Sequence, residues 1–297
     1  MPLVSICIPA FQAEIYLPEA LASVRTQSFT DWELIVTEDG SHDAAEALVA
    51  DFARSVSQPV RFERHTQNKG LPATRNSGIA TATGAYIALL DADDYWDSKH
   101  LQTAVAIITE TGASLAHAGS VLFDSESGNT LGIRAPSTGA IESFPQSLFL
   151  AEYIIQPSSV VLARTLWDRV GGFNETYRYV EDREMWLRCA RAGARFAFTG
   201  QNTCYYRKHP AALSTHAAEM AIASARVFEQ HLDWSQIPAQ LRMQQAASAW
   251  VAAARILQRT EPSRSSAMLL RAQQIVPSFE RYLWAAALRL YSYALKR

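Results

Sequence analysis

The feature that most constrains this chain is an alternation of short apolar runs and helical stripes over its first hundred residues, ending abruptly in a cluster of carboxylates. Residues 3–8 form an apolar run stopped by Pro9 and read as a buried strand. Leu17, Leu21 and Val24 recur at helical spacing, and residues 32–36 give a second strand. Ala45, Leu48, Val49 and Phe52 make the i, i+3, i+4, i+7 stripe of a second helix, and residues 60–64 a third strand. Pro72 stands where the first turn of a helix over 73–82 would begin. Residues 86–90 form a fourth apolar strand that runs straight into Asp91-Ala92-Asp93-Asp94.

This order predicts an α/β fold, a Rossmann-like, mostly parallel sheet flanked by helices. Such sheets bind ligands beyond the carboxyl ends of their strands. Three polar clusters fall there: Pro9-Ala10-Phe11, Glu38-Asp39-Gly40-Ser41 and the Asp91 run, and they are expected to share one crevice. Further on, Ser98 is placed to cap a helix with Leu101, Ala104, Val105 and Ile108 inward. Residues 124–143, rich in Ser, Gly and Thr, read as an irregular excursion. Residues 159–162 and 195–198 read as strands, Gly171-Gly172-Phe173 as a turn and 182–192 as a helix. From about residue 217 glycine disappears, alanine rises and strand patterns cease. Residues 217–297 therefore read as an all-α appendage of three or four helices, broken near Pro238, Pro262 and Pro277, behind a catalytic region 1–216.

Composition narrows the function. A hydrophobic fraction of 48% and a charged fraction of 19% are those of a soluble globular protein, and a net charge of −2 gives no electrostatic case for nucleic acid. Cys7, Cys189 and Cys204 are scattered and odd in number, which argues for free thiols in a reducing compartment rather than a disulfide framework or zinc site. The N-terminus lacks the basic and apolar regions of a signal peptide, and no apolar stretch approaches the ~18 residues of a membrane span. The expectation is a cytoplasmic protein that could still lie on a membrane surface.

Asp91, Asp93 and Asp94 crowd three carboxylates into four positions, which suits a hard cation such as Mg²⁺ or Mn²⁺ shared with a substrate's phosphates; the plainer reading is a helix-capping loop. Asp39 could accept hydrogen bonds from a base or ribose, or simply serve a turn. Glu181-Asp182 opens a helix, as a general base or as a cap. Trp186, one turn on, offers a sugar platform or a core side chain. Arg207, His209 and His216 lie in what reads as a basic loop, able to meet a diphosphate or, through His209, a metal.

Taken in order, these segments resemble the family 2 inverting glycosyltransferases with the GT-A fold. The resemblance is carried by Val4-Ser5-Ile6-Cys7-Ile8-Pro9-Ala10-Phe11-Gln12-Ala13-Glu14, by Glu38-Asp39-Gly40-Ser41-His42-Asp43 and by Gly70-Leu71-Pro72-Ala73-Thr74-Arg75-Asn76. It continues through Asp91-Ala92-Asp93-Asp94, the DxD motif, and Gly171-Gly172-Phe173-Asn174-Glu175 followed by Glu181, Asp182 and Trp186. It spans residues 3–215 and implies a donor half, 1–97, and an acceptor half, 98–216. It implies that Pro9, Ala10 and Phe11 line a nucleotide pocket with Glu14 near the ribose, that Asp39 binds the base (uridine in many relatives), and that Lys69 or Arg75 secures the pocket. Asp91 and Ala92 would contact the donor, Asp93 and His209 would hold Mn²⁺ or Mg²⁺, Glu181 and Trp186 would meet the acceptor, and Asp182 would be the base. Glu38 and His42 depart from the family's Asp and Thr, which bears on base recognition.

The implied partners are a nucleotide-sugar donor and a saccharide or lipid-linked acceptor in surface polysaccharide or glycolipid assembly. A nucleotide-sugar-binding scaffold without activity and a sugar nucleotidyltransferase are the competing classes. From Arg255 onward eight Lys or Arg face two acids. The last helix aligns Phe279, Leu283, Ala286, Leu290 and Ala294, with Arg281, Arg289, Lys296 and Arg297 outside the stripe. Such a helix can lie on anionic lipid or pack on protein. The sequence leaves the oligomeric state open.

Overall fold

The computed structural model describes residues 2–210 and 216–294, and the chain divides into two compact units, Met1–His209 and Pro210–Arg297. The first unit opens with β1 (Val4–Ala10), α1 (Leu17–Arg25), β2 (Trp32–Glu38), α2 (Ala45–Arg54), β3 (Val60–Arg64), α3 (Leu71–Thr81) and β4 (Tyr86–Leu89). Every residue of β1 and β2 is buried, as expected when both faces of the strands are covered; most are apolar, and the polar exceptions are Ser5, Glu33, Thr37 and Glu38. The chain goes on through β5 (Tyr95–Trp96), α4 (His100–Thr111), β6 (Leu115–His117), β7 (Ser120–Asp124), β8 (Thr130–Arg134), α5 (Thr138–Glu142) and α6 (Gln146–Phe149). It closes with β9 (Val160–Ala163), α7 (Arg164–Val170), α8 (Glu181–Arg191), β10 (Phe196–Phe198) and β11 (Cys204–Lys208).

Seven strands form one sheet in the order β10-β6-β9-β4-β1-β2-β3, parallel except for β9, which runs against both β4 and β6. Its core is built on Val4, Ile6, Ile8, Leu34 and Val36 against Leu17, Leu21 and Val49 of the flanking helices. Glu33 is buried within it, held by Ser5, Thr83 and Arg61. The three cysteines are free and buried.

Three local expectations are corrected. Ser98 does not cap α4: the helix begins after Lys99, whose N–H is taken by Asp97 Oδ1 at 2.9 Å. The segment 124–143 is not wholly irregular, since β8 pairs antiparallel with β7 and Ser137 caps the short α5 through the Ala140 N–H. The supposed basic loop starting at Tyr205 is largely strand: β11 pairs parallel with β7 and antiparallel with β5 in a second sheet, β5-β11-β7-β8.

The second unit contains α9 (Ala217–Gln230), α10 (Ala239–Leu257), α11 (Pro262–Ile275) and α12 (Phe279–Ala294), each packed on the next. Pro238 precedes α10 and Pro262 opens α11, where a missing N–H costs nothing. His216 stands directly before α9. Ser265 and Ser266 donate to the carbonyls of Ala254 and Ala285, fastening α11 to both neighbours. Glu229 accepts from Trp250 and pairs with Arg271. The apolar stripe of α12 does not face this bundle: Phe279 is 76% exposed, Leu283 51% and Leu290 72%, while Ala285 and Ser292 face inward. Lys296 and Arg297 lie outside the described residues, as does the side chain of Ala294. Among the described residues no helix is long and apolar enough to cross a membrane.

Candidate active site

The carboxyl ends of β1, β2 and β4 lie side by side because their registers pair Ala10 with Glu38 and Cys7 with Leu89. The Asp39 N–H donates to the Ala10 carbonyl at 2.8 Å, and the Gln12 N–H to Ser41 Oγ at 3.0 Å, so the first two polar clusters share a rim. Pro9 and Ala10 are buried in β1, whereas Phe11 is 47% exposed and Glu14 is open, accepting from the Ala44 N–H at 3.3 Å.

Asp39 is buried, and three groups already engage its carboxylate: the N–H groups of Lys69 at 2.9 Å and Gly70 at 2.8 Å, and His65 Nδ1 at 2.7 Å. A carboxylate has about four acceptor sites, so these three groups leave one unused. His65 Nε2 in turn meets Ser77 Oγ at 2.9 Å. The sequence reading missed His65, although it directly follows β3, a strand end like the other three. Lys69 reaches this site through its backbone, with an exposed side chain. Gly40 has φ +75°, and a Cβ there would stand 2.7 Å from the Gln67 carbonyl carbon, so the close approach of the 39–41 turn to the 67–70 loop requires glycine.

The acidic run divides by burial. Asp94 is buried, accepting from Ser158 Oγ at 2.6 Å and the Arg207 N–H at 2.9 Å; burial and the charges of Asp93 and Asp91 push its carboxyl well up. It joins the Asp91 run to the 3-10 turn Pro157–Ser159 and to β11. Ser158 also takes the Asp91 N–H at 3.1 Å. Asp91 itself is pushed up by burial against the pull of Arg75, with Asp93 and Asp182 adding negative charge. Asp182 therefore lies within electrostatic reach of the run. Ala92 is buried.

Asp93 is the open member, its side chain 37% exposed, and its Oδ2 lies 2.9 Å from His209 Nε2. His209 is held against the Tyr16 ring, centroids 5.0 Å apart. A carboxylate and an imidazole facing each other at an open edge fit a divalent cation that takes its other ligands from phosphate and water. Among the described residues no group of three or more His, Cys, Asp or Glu forms a metal cage. Arg207 is not free to meet a diphosphate: it is buried between Tyr16 and Phe123, donates to the Asp93 carbonyl at 2.8 Å and pairs with Glu19.

The residues expected on the acceptor side, 181–186, follow a strained backbone. Gly171 and Gly172 both have positive φ, and Val180, the residue before α8, has φ +54°. A β-branched residue there costs about 1–3 kcal/mol. Asp182 is half-buried, and its Oδ1 accepts the N–H of its neighbour Arg183 at 2.8 Å. Glu181 is buried and accepts from Arg75 Nη1 at 2.6 Å; burial, offset by Arg75, pushes its carboxyl up to about 7. Trp186 does not offer an open sugar platform. It is 2% exposed and packs edge-on against Phe173, because its position one turn into α8 faces the core with Met185 and Cys189.

A mixed, mostly parallel sheet of seven strands flanked by helices, with carboxylates at its strand ends, is a GT-A type α/β fold. The chain belongs to glycosyl transferase family 2, whose family model matches residues 5–163. Among its relatives is the Escherichia coli UDP-Glc:alpha-D-GlcNAc-diphosphoundecaprenol beta-1,3-glucosyltransferase WfgD, 27% identical over 62% of this chain and 68% of that protein. The fold is shared with S. aureus TarS in complex with UDP-GlcNAc, at TM-score 0.70 and 17% identity over 92% of this chain and 81% of that one. It is shared too with the Pyrobaculum calidifontis mannosyltransferase PcManGT in complex with GDP-Man and Mn²⁺, at TM-score 0.63 and 17% identity over 99% and 86%.

Proposed function

We propose that this chain transfers a sugar from a nucleotide-sugar, a UDP-sugar by preference, to a hydroxyl of a saccharide or lipid-linked acceptor, inverting the anomeric centre. The observation that carries this reading is the Arg75 guanidinium, which bonds both Asp91, two residues before the Asp93 that pairs with His209, and Glu181, the residue before the half-buried Asp182. WfgD's donor and acceptor, by its name, and the UDP-GlcNAc bound to TarS support a UDP-sugar and a lipid-linked acceptor in surface polysaccharide or glycolipid assembly.

In this mechanism Phe11 packs on the base while Asp39 accepts its N–H through the remaining carboxylate site. Asp93 and His209 would hold Mn²⁺ or Mg²⁺, which when bound would neutralise charge on the departing diphosphate. Asp182 takes the acceptor hydroxyl's proton as that oxygen bonds to the anomeric carbon. The bond from that carbon to the diphosphate oxygen breaks on the opposite face, and its electron pair leaves with the nucleoside diphosphate. Attack opposite the leaving group inverts configuration through an oxocarbenium-like state.

Donor titration by calorimetry with UDP-, GDP-, dTDP- and CMP-sugars in Mn²⁺ identifies the nucleotide. Asp182→Asn should abolish transfer, by a factor of about 100 or more, with donor affinity unchanged. Turnover at the wild-type rate would remove Asp182 as the base. The same reading includes peripheral contact with an anionic membrane through the exposed face of α12.

A further inference from the structure

Arg75 touches both sides of the site, yet the chemistry just described gives it no task. It sits in α3 at 2% exposure. One prong of its guanidinium, Nη1, donates to Glu181 Oε1 at 2.6 Å, and the other, Nη2, to Asp91 Oδ1 at 2.6 Å. The Phe173 ring lies 5.2 Å beneath it. Each prong is engaged by a carboxylate, Nε is buried without a partner among the described residues and the side chain is 1% exposed, so the guanidinium is enclosed by the protein rather than open to solvent. Glu181 is equally enclosed and does not face an acceptor.

Burying a charge this deeply is unfavourable unless its partners are well placed, and such groups contribute geometry more than stability. The planar fork of arginine fixes two carboxylates at a set separation, which a lysine cannot do. The adjacent residue acts in the same way. Asn76 donates to the Phe173 carbonyl and to Glu175 Oε1, both at 2.9 Å, and accepts from the Phe173 N–H at 2.9 Å. Arg75 and Asn76 thus grip the segment 173–181 at both ends. That segment enters α8 through Val180 in the left-handed region, a conformation that persists only when its surroundings impose it.

We propose that Arg75 is a positioning residue. Its two ion pairs set the first turn of α8, and hence Asp182, at a fixed distance from Asp91 and the donor. The proposal rests on Asp182 being the base, and it separates Glu181 from the acceptor: Glu181 is the handle by which Arg75 holds the helix.

The test uses the full chain with Mn²⁺ and three donors, UDP-glucose, UDP-GlcNAc and GDP-mannose, following nucleoside diphosphate release with water as the acceptor. Arg75→Lys and Glu181→Ala should each lower kcat about 100-fold, the scale of a misplaced catalytic group, with donor KM within about threefold of wild type. Glu181→Gln, which leaves an oxygen for Nη1, should recover most of the lost kcat. The double variant Arg75→Lys/Glu181→Ala should be no slower than Arg75→Lys alone, because the contact that Glu181→Ala removes is already lost with the arginine fork. If either single variant fails to fold, the other together with Glu181→Gln decides by the same split.

Wild-type kcat in the variants, a loss confined to donor KM, or additive losses in the double variant would overturn the proposal. A wild-type chain that releases nucleoside diphosphate from none of the three donors would instead count against glycosyl transfer itself, and the proposal would fall with it.

Discussion

Glu38 has no exposed surface, and both of its oxygens are engaged. Oε1 accepts from the N–H and hydroxyl of Ser41, and Oε2 from Arg64 Nε at 2.8 Å. Burial alone would raise its carboxyl; the Ser41 hydrogen bonds and the Arg64 charge outweigh burial and hold it below the usual range. A depressed carboxyl contributes stability that is present above its ordinary value of 4.5 and is lost as pH falls through the folded-state value. Glu38→Gln should therefore cost about 1.5–3 kcal/mol near pH 7, as for a hydrogen bond to a charged group, and the difference should shrink in acid. Urea melts at neutral pH and in acid check this, and a pH-independent difference would rule out the ionic account. The sequence showed Glu38 only as a departure from the family's Asp. The structure gives the longer side chain a purpose, which is to reach Arg64 while still closing the Ser41 turn. His65 was legible only by position, as the residue after β3; that it meets Asp39 depends on the register of β2 with β3, which the sequence does not show.

At the scale of elements, the long buried strands and amphipathic helices of residues 4–89 were legible because burial on both faces leaves strands that are mostly apolar and helices with a clear stripe. The second sheet was not. Its strands are two to five residues long, and β11 reads Cys-Tyr-Tyr-Arg-Lys, which resembles a basic loop until Arg207 is enclosed by Tyr16 and Phe123. Helix α8 shows the converse. Its acidic first turn marked the site, but a tryptophan one turn on can face either way, and tertiary packing turned Trp186 inward. Its Nε1 is buried without a partner among the described residues. An unsatisfied buried donor costs about 1–3 kcal/mol, which offsets much of the packing lost on truncation. Trp186→Phe should accordingly cost no more than about 2 kcal/mol and leave the KM values of donor and acceptor unchanged. A rise in acceptor KM with stability intact would restore Trp186 to the acceptor site.

For the whole molecule, the shift in composition near residue 217 announced a helical tail, but its consequence lies in which face of α12 meets the bundle. Small residues, Ala285 and Ser292, pack inward, so the large ones, Phe279, Tyr282, Leu283, Leu290 and Tyr291, are left exposed along one helix beside the exposed Arg289. Ser266 and Ser263 explain this choice: their hydroxyls meet the Ala285 carbonyl and Ser292, contacts that need a close approach a bulky face would prevent. An apolar stripe flanked by arginine matches an anionic bilayer surface, where burying each large side chain contributes about 1.5–3 kcal/mol. Replacing Phe279, Leu283 and Leu290 with Ser should therefore leave the folded unit intact, since none is buried, yet reduce partitioning well over tenfold by the same per-residue figure. The measurement is flotation with vesicles of phosphatidylcholine containing phosphatidylglycerol. Binding of the wild-type chain should also weaken as salt rises from about 0.1 to 1 M, because the Debye length shortens from ~10 to ~3 Å and screens the arginines. Equal flotation of the triple variant and the wild-type chain would remove α12 as the membrane contact. Equal binding to neutral and anionic vesicles would retain the apolar contact and remove the part assigned to arginine.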